Sequence, residues 1–130
     1  MPWIIATMDC LPRCGMHMAA MRNGGFAVIT PSAGIIPKKF ALARKYHVEE
    51  QLKAVVVSKG NDKQSLLEAA EEALKYPNVS AIVLGCANYA GSDAYIEKKL
   101  NVPVYDGVIW ALILAEGAVR NKLYQLENKE

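Results

Sequence analysis

Four stretches of the chain are short, continuous runs of apolar residues: 26–30, 52–57, 81–84 and 102–106. Apolar runs without polar alternation suit strands covered on both faces, the signature of a parallel sheet. Pro103 has no backbone donor, so the fourth run is expected to start late or lie at a sheet edge. Residues 3–7 are a candidate fifth strand, and 1–14 are otherwise expected to be irregular.

Between these runs the spacing turns helical. From Asn61 or Asp62, either able to cap, Leu66, Ala69, Ala70, Ala73 and Leu74 share one face as far as Tyr76. Glu68, Glu71, Glu72 and Lys75 take the other face, and Pro77 ends the helix. A second helix is expected over 36–46, with Phe40, Ala43 and the following Val48 inward. Residues 16–22 form a short helix ended by Gly24 and Gly25, and Ser92 or Asp93 caps one running to Leu100. A final helix from about residue 108 turns Leu112, Ala115, Val119 and Leu123 toward the body, and 120–130 is its frayed tail.

Strands alternating with helices at this spacing are βαβ units. The fold class is therefore α/β: a flavodoxin-like parallel four-stranded sheet with helices on both faces, in one domain over 1–130. In such sheets ligands gather beyond the carboxyl ends of the strands, which here are the segments 30–34, 58–62, 85–91 and 106–107.

Composition narrows the function classes. With 52% hydrophobic and 22% charged residues the 130-residue chain is a core-forming domain, not a disordered one. A net charge of +2 is far from the footprint of a nucleic-acid binder. Lys38, Lys39, Arg44 and Lys45 cluster, but Glu49 and Glu50 follow, so the cluster is expected to be a solvated helix face. The apolar start carries no basic lead, and the longest apolar run, 108–115, is far below the roughly 20 residues that span a bilayer. Three cysteines make no complete disulfide framework, and together these features lead us to expect a soluble cytoplasmic protein.

Cys86 is the most informative residue at the strand ends. It leaves a buried strand for a loop of small residues, with a helix start a few positions on, where backbone donors favour a thiolate. The competing reading is that a lone cysteine is a small buried hydrophobe. Cys10, Cys14 and His17 lie close together, but they offer no fourth ligand, so no metal site is expected and His17 is read as a packing residue. Neither a phosphate-binding glycine loop nor a His-Glu-x-x-His motif is present. Tyr89 and Tyr95 are read as packing residues.

The stretch Ala81-Ile-Val-Leu-Gly-Cys-Ala-Asn-Tyr-Ala-Gly91, followed by Val102-Pro-Val-Tyr-Asp-Gly-Val108, resembles the aspartate/glutamate/hydantoin racemase superfamily. It looks most like the second lobe of the hydantoin and allantoin racemases. Upstream, Met16-His-Met-Ala-Ala20 and Phe26-Ala-Val-Ile-Thr30 resemble that lobe's leading helix and first strand. The resemblance implies a cofactor-independent isomerase in which two cysteines face each other across a cleft between two lobes. One takes the proton α to a carbonyl and the other returns one to the opposite face. Carried over position by position, Cys86 matches the catalytic cysteine of the second lobe. Ala87 and Asn88 match the loop whose amides approach substrate, and Thr30 matches a threonine that contacts it.

The departures are equally specific. The family's first lobe, with its Cys-x-x-Asp-Pro-Gly loop, has no counterpart here, and neither Cys10 nor Cys14 takes the place of its cysteine. The family loop's Gly and Met are Asn88 and Tyr89, which would narrow the pocket. The expectation is a racemase lobe that acts on a small molecule as a homo-oligomer, without nucleic acid or membrane. Two alternatives stand beside it: a non-catalytic lobe that binds a ligand or partner, and a relative of the single-cysteine arylmalonate decarboxylases.

Overall fold

A computed structural model describes residues 11–22 and 24–122, and the candidate strand at 3–7 and the tail beyond 122 lie outside them. The elements are α1 (Leu11–Ala20), β1 (Gly25–Thr30), α2 (Ile36–Lys45), β2 (Leu52–Val57) and α3 (Lys63–Leu74). They continue with β3 (Val79–Leu84), α4 (Asp93–Leu100), β4 (Val104–Asp106) and α5 (Gly107–Arg120). Single 3-10 turns, Ala33–Ile35 and Ala87–Tyr89, follow β1 and β3.

All four strands are parallel, in the order β2-β1-β3-β4, as the apolar runs imply. Successive side chains of a strand point to opposite faces, so each strand feeds two cores. Ala27, Ile29, Ala54, Val56, Ile82, Leu84 and Val104 pack beneath α3 and α4. Phe26, Val28, Leu52, Ala81 and Val83 pack against α1, α2 and the residues that follow α2. Central β1 is buried along its whole length, whereas edge strand β2 alternates and leaves Lys53 and Val57 exposed.

Local chemistry explains most boundaries. Asp62 caps α3: one carboxylate oxygen accepts from the Ser65 amide at 3.1 Å and the other from its hydroxyl at 2.7 Å. β4 begins only after Pro103, whose carbonyl accepts from the Ile82 amide at 3.0 Å. α1 starts at Leu11, earlier than the expected residue 16, and so carries Cys14 in its buried face.

Two sequence expectations are overturned. Lys39 does not belong to a solvated face; it is only 8% exposed and shares the inward side of α2 with Ala43, while Phe40 is half-buried. In α5 the inward residues are Gly107, Ala111 and Ala118, while Leu112 and Val119 point outward and Ala115 is half-buried. The reason is close approach. A Cβ on Gly15 of α1 would stand 3.6 Å from the Gly107 Cα, so the two helices meet on small residues and the larger ones turn away.

Candidate active site

The register brings the expected segments to one end of the sheet. Ile29 pairs with Leu84 and Leu84 with Asp106, so Thr30, Gly85 and Asp106 lie beside one another where β1, β3 and β4 end. Between β1 and β3 the chain order reverses, the position at which open parallel sheets hold ligands. A small cleft of about 80 Å³ opens one strand over, between the ends of β3 and β4, walled by Leu84 to Ala87 on one side and Asp106 to Val108 on the other. A larger hollow of about 580 Å³ lies at the opposite, amino end of β4, beside Glu97, Lys98 and Pro103, and none of the expected residues line it.

Cys86 is half-buried in the cleft wall, with extended backbone leading into the turn Ala87–Tyr89. That turn's bonds run from the Tyr89 amide to the Cys86 carbonyl (3.0 Å) and from the Ala90 amide to the Ala87 carbonyl (3.1 Å). The amides of Ala87 and Asn88 stand outside this pattern, as the first N–H groups of any helical turn do. Both residues are exposed beside the thiol.

The loop is held from three directions. The Asp106 carboxylate, buried at the end of β4, accepts from the Val108 amide at 2.9 Å and from the Gly91 amide at 3.2 Å. It therefore caps α5 and ties the far end of the loop to β4. Tyr89, fully buried, shares a 2.6 Å hydrogen bond with the Ser58 hydroxyl beyond β2. Burial pushes the Tyr89 phenol up, the Ser58 bond pulls it down, and the Cys86 charge pushes it up. From α2, the Lys39 ammonium donates to the Gly85 carbonyl at 2.8 Å. Burial holds Lys39 below the ordinary lysine range, charge on Cys86 raises it, and neighbouring Lys38 lowers it.

Thr30 is completely buried, and its hydroxyl has no hydrogen-bond partner among the described residues. Its carbonyl accepts from the Ser58 amide at 2.9 Å. The candidates Cys86 and Ala87 thus share the cleft wall, Asn88 follows them in the exposed turn, and Thr30 lies at the neighbouring strand end, sealed from the surface.

Of the N-terminal set, the described Cys14 and His17 do not line the cleft. His17 packs on the Tyr46 ring with centroids 6.0 Å apart, and burial, then the nearby Arg13 charge, push it down. Among the described residues no three His, Cys, Asp or Glu side chains converge, and Cys10 lies outside them. Tyr95 sits between the ammonium groups of Lys63 and Lys99, 5.7 and 5.8 Å from its ring centre. Lys39 and Asp106 are the groups that sequence reasoning missed. A carboxylate directly after a strand and before a helix could have marked Asp106 as a cap. For Lys39 the available signal was its i, i+4 spacing from inward Ala43.

The family model described as Asp/Glu/Hydantoin racemase matches residues 11–115. Over 56 residues the chain is 39% identical to the hydantoin racemase of Pseudomonas sp. (strain NS671), covering 43% of this chain and 22% of that protein. Its fold superposes on the allantoin racemase from Klebsiella pneumoniae with a TM-score of 0.77 and 26% identity, over 86% of this chain and 50% of that one. The allantoin racemase from Pseudomonas fluorescens shares the fold, with a TM-score of 0.75, 23% identity and coverage of 86% and 52%. The chain therefore spans about half the length of the solved structures it matches.

Proposed function

The chain belongs to the Asp/Glu/Hydantoin racemase family, and on that premise we propose that it is a cofactor-independent isomerase with Cys86 as its acid/base. The substrate is a hydantoin, allantoin or an amino-acid type compound, in which a carbonyl acidifies the α-proton. Cys86 as thiolate removes that proton, or as thiol delivers one, so the residue must change protonation state near the working pH. The amides of Ala87 and Asn88 would donate to the enolate-like oxygen as charge builds on it. Thr30 as a substrate contact rests on the family resemblance alone: its hydroxyl has no partner among the described residues, but the side chain is sealed beneath the strand end.

The observation that carries this reading is the placement of Cys86. It stands half-exposed at the carboxyl end of a central strand, in a cleft beside the exposed residues Ala87 and Asn88. The cleft itself, at about 80 Å³, is smaller than the roughly 300 Å³ at which small-molecule pockets begin. A second surface must complete it and supply the group for the opposite face of the α-carbon. A second copy of the chain is the source we propose, which makes the active form a homo-oligomer. The cytoplasm, where thiols stay reduced, is the compartment this chemistry suits.

The test is deuterium exchange at the α-carbon of allantoin and of a 5-monosubstituted hydantoin in D2O, followed by proton NMR. Wild type should exchange, Cys86→Ser should not, and Cys10→Ser and Cys14→Ala should exchange as wild type does. Exchange that survives Cys86→Ser would remove the assignment. The small cleft also favours a second reading, a lobe that binds a ligand without turning it over. Saturable ligand binding with no exchange in any variant would select it. Release of CO2 from an arylmalonate would select the single-cysteine decarboxylase.

A further inference from the structure

We propose that Lys39 is a positioning residue for Cys86: its buried ammonium fixes the Gly85 peptide and supplies the positive charge that favours a thiolate at the next residue. The proposal rests on the reading of Cys86 as acid/base and adds the group that sets its charge state.

Three observations converge on it. First, Lys39 is 8% exposed, yet among the described residues the ion pairs are Lys75–Glu72 and Arg120–Glu116, so no carboxylate faces it. A buried ammonium without a counter-charge is costly. Second, the side chain reaches the end of β3 beside Gly85. A Cβ on Gly85 would lie 3.4 Å from the Lys39 Cε, and the ammonium ends 2.8 Å from the Gly85 carbonyl. That carbonyl belongs to the peptide joining Gly85 to Cys86, so the bond fixes the plane from which the thiol departs. Third, charge on Cys86 raises Lys39 against the burial that lowers it.

The other groups about Cys86 leave this task open. Asp106, across the cleft, is committed to the amides of Val108 and Gly91, and its negative charge would oppose a thiolate. Tyr89, in the turn, is held by Ser58. Lys38 lies on the exposed side of α2. A thiol next to a lysine ammonium is a recognised route to a reactive thiolate.

The test is peptide-resolved alkylation of the full chain with iodoacetamide across a pH series, for wild type, Lys39→Gln and Lys39→Arg. Lys39→Gln keeps a donor but removes the charge. It should slow Cys86 alkylation at neutral pH about tenfold and raise the midpoint by about one pH unit. Lys39→Arg should restore most of the rate. Superimposable profiles for wild type and Lys39→Gln would overturn the proposal, as would equal losses in both variants. If the variants do not fold, labelled wild type decides. The Lys39 Cε resonance should move with the Cys86 titration and lose that inflection in Cys86→Ser, and its absence in wild type would overturn the proposal. Missing α-proton exchange with a shifted alkylation profile would remove the isomerase reading and leave Lys39 in place. Exchange with unshifted profiles would do the reverse.

Discussion

Gly85 joins the core to the chemistry. A Cβ there would stand 2.6 Å from the Ile29 carbonyl oxygen and 2.7 Å from the Val28 Cγ1, both inside the rigid centre of the sheet. Gly85→Ala should therefore cost about 1–3 kcal/mol, the usual penalty of overpacking, read as a lower denaturant midpoint at unchanged slope. A midpoint equal to wild type would show that the strand ends yield more than the packing implies. The same stretch shows why the place of Cys86 at a strand end was legible in the sequence and the burial of Lys39 was not. An apolar run ending in Gly-Cys and a small-residue loop announces a strand end by composition alone. Lys39 is buried against a carbonyl 46 positions away, which local pattern does not reveal. Read locally, a lysine among Lys38, Arg44 and Lys45 is a surface residue.

Among the elements, α3 and α5 show where local pattern decides and where it does not. α3 has a cap, a clean apolar face and a stop signal, so Asp62 and the inward Leu66, Ala69, Ala70 and Ala73 could be read in advance. The Ser65 hydroxyl, then its amide, hold the Asp62 carboxyl below the usual carboxylate range. A carboxyl lowered by folding stabilises above its usual pKa and loses that contribution as pH falls through the lowered one. Asp62→Ala should thus lower the melting temperature at neutral pH. The gap to wild type should close as both are acidified below the carboxylate range. A gap independent of pH would assign the loss to helix propensity instead of the ionised cap. For α5 the pattern is silent because residues 108–115 are apolar on every side. A moment needs a polar face to point away from, and small residues at Gly107, Ala111 and Ala118 chose the inward side through close approach to α1.

At the scale of the whole molecule, this choice leaves the outside of α5 as an apolar surface. Leu112, Ile113 and Leu114 are 64%, 47% and 50% exposed, and successive helical residues are about 100° apart, so they cover much of the outer half. A surface helix normally carries its polar residues there. The helix begins at Gly107, in the wall of the Cys86 cleft, so the apolar surface and the incomplete site are carried on one element. On the proposed reading, a second copy of the chain covers both with one contact. Replacing Leu112 and Leu114 together by Ser should change monomer stability by no more than about 0.5 kcal/mol per site, because neither side chain is in the core. In sedimentation velocity, wild type should run as a dimer or larger species whose population rises with concentration, and the double variant as a monomer. The variant should also lose α-proton exchange while Cys86 remains open to alkylation. A wild type that is monomeric at every concentration yet still exchanges would separate the chemistry from assembly. The second acid/base would then have to come from within a single chain.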